Sequence, residues 1–226
     1  MKKLIEILEQ FKNERNEAKK NGTWDEDAVA KCFKPCAEQI LCKGYFLVNG
    51  KYIIDLGAIE LYYHEEKTNG IKDYKMYHTN EQLPESFKKR LETYPIEQLP
   101  IFYRKIKECG GGYPFFETGS FNLHQSGVDV TFENDDNEND KYRASFLIRS
   151  YRMIEKCDIN KDILYDPCSS HLYDDLYYSG LLSFSSAPTI EWVEYDKGGN
   201  IEQKTRVNIK DERLWRFRRI GIKEIK

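Results

Sequence analysis

The chain has 226 residues with 35 basic and 38 acidic side chains, and its formal net charge of −3 excludes a protein that is a polycation as a whole. A hydrophobic fraction of 40% is typical of a folded globular chain and excludes general disorder. No stretch approaches 18 uninterrupted apolar residues, and Glu6, Glu9 and Glu14 interrupt the segment where a signal peptide needs an apolar block. The sequence therefore predicts a cytoplasmic protein without a membrane partner.

The cysteine pattern predicts free thiols rather than disulfides or a metal site. The six cysteines are Cys32, Cys36, Cys42, Cys109, Cys157 and Cys168. A chain of this length and apolar content does not need disulfide bonds to fold. The cluster at residues 32–42 lacks the paired C-x2-C spacing of structural zinc sites and has no histidine nearby. We therefore expect no metal ligands among these residues.

The first 42 residues predict two helices. Leu4, Ile5, Leu8 and Phe11 recur at helical spacing between charged residues, so an amphipathic helix is expected over residues 1–22. Next, Thr23 stands three residues before Glu26, which is the pattern of a capping box. A second helix should begin there and break near Pro35, since proline removes one helical hydrogen bond.

Residues 45–64 predict a hairpin whose second strand carries a carboxylate. Asn49 and Gly50 lie between two runs of aromatic and branched residues, as in a type I′ turn. Because strand side chains alternate between faces, Glu60 and Tyr62 should be neighbours on one face. Strict alternation places them on the same face as Ile54, Leu56 and Ala58.

The remaining segments complete a pattern of mixed helices and strands. Helices are expected at residues 85–94 and 99–109, with a possible short helix at 171–180, and His78 lies in a loop. Strands are expected at residues 127–132, 144–154, 189–195 and 213–222, the last two joined through a turn at Gly198 and Gly199. The sequence predicts one α+β domain over residues 1–226. We expect a curved, mainly antiparallel sheet with flanking helices, on which the N-terminal helix packs.

Two charged residues stand out because each lies inside an otherwise apolar strand. Glu60 and Arg149 would be costly to bury separately, so the economical hypothesis is that they share a site. They could form a structural ion pair. Alternatively, Glu60 could activate a water molecule with an arginine and a histidine around it. His64 and His124 have no partner at a meaningful spacing, and the spacing of the charged residues does not choose between the two hypotheses.

The charges are unevenly distributed along the chain. Residues 133–140 hold five acids and no base, whereas residues 213–226 hold six bases and one acid. The basic segment could contact phosphates, or it could be a solvated edge strand whose cations oppose aggregation.

Several short stretches, taken in order, resemble the alkyladenine (3-methyladenine) DNA glycosylase family. AEQILCKGYFLV followed by GAIELYYH is similar to the family's A-x-x-L-L-G-K helix end and the strand that ends in E-x-E-A-Y, with Ala58 in place of the first glutamate. GVDVTF and SFLIRS are similar to the family's strands that end in an asparagine and in V-L-I-R-A, and RRIGI resembles P-R-I-G-I. The family's tyrosine-rich segment is replaced here by FETGSFNLHQSG, which holds no tyrosine.

The resemblance implies an enzyme that hydrolyses the N-glycosidic bond of a damaged purine in double-stranded DNA. It places Glu60 as the catalytic base and Arg149 as the second catalytic residue, which helps to hold the attacking water and the carboxylate, and it implies no metal or organic cofactor. The residues it assigns to substrate binding are Tyr62, His78, Asp129 and an aromatic ring from Phe116 or Phe121. The basic segment around Arg216, Arg218 and Arg219 is the expected contact with DNA phosphates. Two alternatives stay open: a binding module of the same fold that does no chemistry, and an enzyme that hydrolyses a free nucleoside.

Overall fold

A curved antiparallel sheet with helices packed against it makes up most of the chain. The structure, a computed structural model, describes residues 1–76, 85–99, 104, 106, 113–124, 126–178 and 189–226. The helices described are α1 (Lys2–Lys20), α2 (Glu26–Cys42), α3 (Glu85–Thr93) and α4 (Ser169–Tyr178). The α+β class predicted from the sequence is confirmed.

Eight strands belong to the described part of the sheet, and every pairing between them is antiparallel. They are β1 (Gly44–Val48), β2 (Tyr52–Glu65), β3 (Phe121–His124), β4 (Gly127–Thr131), β5 (Tyr142–Glu155), β6 (Ile190–Glu194), β7 (Ile201–Lys204) and β8 (Arg216–Arg219). The order is β3-β4-β5-β2-β1-β6, while β8 pairs with both β2 and β7. Strand β2 is therefore central, since it pairs with β1, β5 and β8.

The two N-terminal helices pack their apolar sides into the main core. Leu4, Leu8 and Phe11 of α1 are buried together with Phe33 and Leu41 of α2. These residues belong to one core cluster together with Ile59 of β2 and Phe146 of β5. None of the helices that the structure describes is long and apolar enough to cross a membrane.

The start and course of α2 differ from the prediction. Its N-cap is Asp25, whose carboxylate accepts a hydrogen bond of 2.8 Å from the Ala28 N–H. The prediction of a capping box that begins at Thr23 is therefore wrong. The helix also continues through Pro35, so the predicted break is wrong. Buried apolar residues on both sides of Pro35, including Phe33 and Ala37, hold the two halves on one core and offset the lost hydrogen bond.

The predicted hairpin between β1 and β2 is confirmed. Asn49 and Gly50 have φ angles of 52° and 67°, and the Lys51 N–H donates to the Val48 carbonyl over 3.1 Å. Positive φ at both central residues is what a type I′ turn requires, and Asn and Gly are the residues that adopt it most easily.

The prediction that side chains alternate strictly between the two faces along β2 is wrong, because the strand has a bulge at Gly57. The register with β5 shifts between Leu56 and Ala58. Ile54 and Leu56 lie in the main core before the bulge, and Ile59 and Leu61 lie in it afterwards. A bulge inserts one extra residue, so it reverses which residues face the core. Glu60 and Tyr62 consequently share a face, as expected, but that face is opposite the one occupied by Ile54 and Leu56.

The C-terminal strands are connected differently from the prediction. Gly198 and Gly199 both have positive φ, but they lead from β6 into β7 rather than from β6 into β8. β7 then forms the antiparallel partner of β8, while β6 pairs with β1. The short and polar sequence of β7, IEQK, gave no strand signal.

Other predicted features lie partly or wholly outside the described residues. The helix expected at 99–109 lies almost entirely outside the described residues, and His78 and Cys109 lie outside them as well. The described cysteines are all free, which confirms the prediction for Cys32, Cys36, Cys42, Cys157 and Cys168.

Gly57→Ala should lower the free energy of unfolding by about 1–3 kcal/mol, because overpacking forces neighbouring atoms apart. A Cβ atom at this position would lie 2.7 Å from Ile222 Cδ1 and 2.8 Å from Tyr165 Cδ1. Urea denaturation measures the loss. Ile222→Val removes the nearest methyl group, so the double variant should recover part of the stability. If the effects of the two substitutions simply add, the close approach is not the cause.

Candidate functional site

One row of side chains crosses five adjacent strands on the face of the sheet that carries Glu60. The register pairs Arg216 with Glu60, Glu60 with Leu147, Leu147 with Asp129, and Asp129 with Asn122. Neighbouring strands lie about 4.8 Å apart, so the Glu60 and Asp129 backbones are about 10 Å apart with Leu147 between them. Residues that are distant in sequence are thus brought into line by strand pairing.

A cavity of about 400 Å³ opens over this row. Its described lining comes from β2, β3, β4 and β5, from the turn between β3 and β4, from the loop after β2 and from the loop between β7 and β8. The lining residues are Glu60, Tyr62, Tyr74, Lys75, His124, Ser126, Asp129, Ser145, Leu147, Arg149, Val207, Asn208 and Ile209. Four of the predicted site residues, Glu60, Arg149, Tyr62 and Asp129, therefore meet in one place.

Glu60 is buried at the base of the cavity with only 1% of its surface exposed. One carboxylate oxygen accepts a hydrogen bond of 2.7 Å from the Val207 N–H, and the other accepts the Tyr62 hydroxyl over 3.3 Å. Burial raises the pKa of Glu60, and the Val207 amide and the Arg149 guanidinium offset only part of that rise. Glu60 is therefore a stronger base than an exposed glutamate.

Arg149 lies beside Glu60 and is held from the other side. Its Nε atom is 3.6 Å from Glu60 Oε1, which is an ion pair beyond hydrogen-bond distance. Its Nη1 atom donates to Ser169 Oγ over 3.0 Å, and that hydroxyl donates to the Ser126 carbonyl over 2.7 Å. The predicted ion pair between Glu60 and Arg149 is therefore present, and both residues line the cavity.

Tyr62 lies between Glu60 and a buried arginine. The guanidinium carbon of Arg206 is 4.8 Å from the centre of the Tyr62 ring, which is a cation–π distance. Burial raises the pKa of the Tyr62 hydroxyl, and the Glu60 carboxylate raises it further. The phenol consequently stays protonated and acts as a hydrogen-bond donor to Glu60.

The loop between β7 and β8, residues 205–215, forms one wall of the cavity and is anchored by Arg206. This buried guanidinium donates to Asp73 over 2.6 Å and to the Leu61 carbonyl over 3.2 Å, and it also pairs with Asp211. The next residue, Val207, supplies the amide that binds Glu60. Asn208 follows with a φ of 60°, a left-handed conformation that asparagine tolerates better than most residues. The anchor therefore fixes the amide that restrains Glu60.

Asp129 and His124 form a pair that the sequence did not reveal. Asp129 Oδ2 is 3.1 Å from His124 Nε2, and His124 Nδ1 accepts the Ser126 N–H over 3.2 Å. Since Nδ1 acts as an acceptor, the hydrogen-bond network assigns the ring proton to Nε2. His124 lacked a partner at helical or strand spacing, but β3 and β4 are hairpin neighbours, and NLHQSGVDV folds back so that the two side chains meet.

Two buried oxygen atoms on this side of the cavity have no hydrogen-bond partner within the described structure. They are Asp129 Oδ1 and Ser145 Oγ. The two residues are 4% and 1% exposed, so solvent does not satisfy them freely. Burying a polar atom without a partner costs about 1–3 kcal/mol.

Other predicted site residues lie away from the cavity. Phe121 packs edge to face on Phe46 with the ring centres 5.1 Å apart, so its ring contributes to the main core. The backbone N–H of Phe116 donates to the Glu133 carboxylate, and Phe116 does not line the cavity. His78 lies outside the described residues.

The basic C-terminal residues are largely paired with carboxylates of this chain. Arg218 lies 3.3 Å from Glu202 and 3.4 Å from Glu224. Arg219 lies 3.5 Å from Asp55 and donates to the Tyr165 hydroxyl over 3.0 Å. Arg216 is half-buried opposite Glu60 in the sheet, and burial lowers its pKa.

Comparison of the chain with protein-family models, with curated proteins and with solved structures found no match. Among the residues that the structure describes, no group of three or more histidine, cysteine, aspartate or glutamate side chains is placed to hold a metal ion.

Arg206→Met should lower the free energy of unfolding by about 3 kcal/mol or more, because it leaves the Asp73 carboxylate buried without its main partner. Chemical denaturation measures this change. Lys88→Met is a matched control, since Lys88 pairs with Glu85 on the surface over 2.8 Å and should contribute little. Equal effects of the two substitutions would show that the anchor is not a major source of stability.

Proposed function

We propose that this protein hydrolyses the N-glycosidic bond of a purine, with a damaged purine in DNA as the first candidate substrate. The observation that carries the proposal is the Glu60 carboxylate, which is buried, raised in pKa and part of the lining of the cavity. A general base needs a raised pKa and a position next to the reacting group. The resemblance of the surrounding stretches to alkyladenine DNA glycosylases supports the choice of bond.

In the proposed reaction Glu60 removes a proton from a water molecule as the water oxygen attacks C1′ of the sugar. The bond between C1′ and the purine nitrogen breaks, and its electron pair leaves with the purine. Positive charge develops on the sugar in such reactions, and the Glu60 carboxylate stabilises it electrostatically. Arg149, 3.6 Å from Glu60 and held by Ser169, keeps the carboxylate in place and favours its charged form.

The cavity has the size of a small-molecule site. Its volume of about 400 Å³ falls within the range of ligand pockets, roughly 300–1,000 Å³. An enzyme that acts on a base in duplex DNA must rotate the base into such a pocket, which costs a few kcal/mol of stacking and pairing. Tyr74, which lines the cavity and is 64% exposed, is an aromatic side chain at the entrance that a base can contact.

Hydrolysis of a free nucleoside is the second candidate, and the pairing of the basic residues favours it. Arg218 and Arg219 already contact carboxylates of the chain, and the Phe121 ring packs in the core. A free nucleoside needs neither a phosphate contact nor a side chain that unstacks a duplex. The two candidates share the same chemistry at Glu60 and differ only in what carries the purine.

Glu60→Gln should lower purine release at least about 100-fold, since a general base contributes roughly 10²–10⁴-fold to a rate. The assay follows release of hypoxanthine from a duplex oligonucleotide, from a single strand and from free inosine. Glu202→Gln is the matched control, because Glu202 pairs with Arg218 and does not line the cavity.

Release from inosine alone would favour the second candidate over the first. Absence of release by the wild-type protein from any of these substrates, and from methylated purines in DNA, would contradict the proposal and leave a binding module as the remaining hypothesis.

The pH dependence should report the raised pKa of Glu60. A base must be ionised, so kcat/KM should fall as the pH is lowered through the pKa of this group. Because burial raises that pKa, the fall should be centred above about 4.3, the usual value for glutamate. A pH profile of hypoxanthine release measures the midpoint. A midpoint at or below the usual value would show that another group controls the activity.

A further inference from the structure

A second cavity, of about 310 Å³, adjoins the cluster of charged side chains around Asp55. Its described lining shares no residue with the lining of the cavity that holds Glu60. It includes Arg152 of β5, Arg219 of β8 and Tyr165. Each of these three side chains also contacts the Asp55 carboxylate. The second cavity therefore opens beside a buried carboxylate and the groups that surround it.

The cations around Asp55 outnumber the carboxylates. Three cations contact this one carboxylate: Lys197 over 2.8 Å, Arg152 over 2.9 Å and Arg219 over 3.5 Å. Their side chains are only 6%, 13% and 16% exposed. Among the residues that the structure describes, none of the three pairs with a second carboxylate. The cluster thus carries an excess of two positive charges that water screens only in part.

A buried excess of charge is costly unless an opposite charge compensates it. Burial and the nearby Arg219 charge together lower the pKa of the Lys197 ammonium to about 8, although Asp55 acts in the opposite direction. Arg152 also donates to the carbonyls of Ile159 and Lys161 over 3.2 and 2.8 Å. These carbonyls satisfy hydrogen bonds but add no negative charge. An anion in the second cavity would supply the charge that the cluster lacks.

The exposed ion pairs at the rim of the second cavity do not change this excess. Lys223 and Asp162, which both line the cavity, pair with each other over 2.7 Å. Lys161, also in the lining, pairs with Asp158 over 2.7 Å. Each of these pairs holds one positive and one negative charge. The excess therefore comes from the buried cations around Asp55.

Arg219 has hydrogen-bond donors for an anion. Its Nη1 atom donates to the Tyr165 hydroxyl over 3.0 Å. Its Nε and Nη2 atoms make no hydrogen bond with the residues that the structure describes, and neither atom is among the buried ones that lack a partner. Nε and Nη2 lie side by side on the guanidinium, and such a pair of N–H groups can bind two oxygens of one phosphate.

We propose that the second cavity binds a phosphate dianion, either inorganic phosphate or the phosphate group of a monoester. The excess of two positive charges matches a phosphate monoester, which carries a charge of about −1.5 to −2 at pH 7. A phosphodiester or a carboxylate carries only one negative charge. The volume of about 310 Å³ lies at the lower end of the range of ligand pockets, so a phosphate with a small substituent fits. This site does not depend on the proposed hydrolysis.

The first test compares three anions by isothermal titration calorimetry in a buffer without phosphate. They are inorganic phosphate, phenyl phosphate and the diester methyl phenyl phosphate, which keeps the ring but has one charge. Phenyl phosphate should bind at least about ten-fold more tightly than the diester, because its charge matches the excess. Inorganic phosphate that binds as tightly as phenyl phosphate would support the site and assign the free ion as its ligand. Equal affinities for phenyl phosphate and the diester, or no binding of either, would overturn the proposal.

Arg219→Gln should weaken the binding of phenyl phosphate at least about ten-fold, since it removes the paired N–H groups and one positive charge. Asp55 keeps Lys197 and Arg152 in this variant, so its buried charge stays compensated. Arg218→Gln is the matched control, because Arg218 is the neighbouring residue of β8 but does not line the second cavity. Equal losses of affinity in the two variants would contradict the assigned site.

A second pair of variants tests the charge without removal of an arginine. Gly221 lines the second cavity, and a Cβ atom at this position would meet nothing within 4 Å. Gly221→Asp adds a carboxylate there, and Gly221→Asn adds the same shape without the charge. Asn and Asp both tolerate the φ of 84° better than most residues, so the two variants carry the same backbone strain. Phenyl phosphate should bind at least about ten-fold more weakly to Gly221→Asp than to Gly221→Asn. Equal affinities would overturn the proposal.

Discussion

The two buried carboxylates on one face of β2 decide how the rest of the chain packs on that face. Asp55 and Glu60 stand on the side of the central strand that is turned away from α1 and α2, and each needs compensation within the protein. Asp55 forms ion pairs with Arg152 from β5 and with Lys197 from the segment after β6. Glu60 forms an ion pair with Arg149 from β5 and accepts a hydrogen bond from the Val207 amide. Two segments of the C-terminal part of the chain, one after β6 and one after β7, thus supply partners for these two side chains.

The elements that could be predicted from the sequence are those with a local signal. The hairpin at Asn49 and Gly50 depends on residues that adopt positive φ, and the long apolar runs of β2 and β5 are recognisable without their partners. The association of Glu60 with Arg149 could also be predicted, because a buried charge in a strand needs an opposite charge nearby. In each case the physical cause lies in a few adjacent residues or in a single requirement for charge balance.

The features that escaped prediction depend on contacts between distant segments. Gly57 could have indicated a bulge, since glycine inside a strand often does, but only packing against Ile222 and Tyr165 shows why no side chain fits there. The arginines of β8 form a basic segment in the sequence, yet Arg218 meets Glu202 only after β7 and β8 pair. A count of charges along a chain cannot show which of them neutralise one another in the fold.

Asp55 and Glu60 differ in how the segments around them compensate their buried carboxylates. Asp55 contacts Lys197 and Arg219 through Oδ1 and contacts Arg152 and the Tyr165 hydroxyl through Oδ2. Burial alone would raise its pKa, but these cations and the hydroxyl hold the pKa below its usual value, so the group is a weak base. Three of these partners, Lys197, Arg152 and Tyr165, donate hydrogen bonds to its two oxygens, and Arg219 adds an ion pair.

Each oxygen of Glu60, by contrast, accepts one hydrogen bond, and its nearest cation stands 3.6 Å away. Each oxygen therefore keeps one lone pair without a hydrogen bond in the described part of the chain, and the pKa stays above its usual value. Two carboxylates on one face of one strand thus have opposite properties because the segments that cover them differ. Asp55 is neutralised by a cluster that fills its surroundings, whereas Glu60 is restrained in direction and remains able to accept a proton.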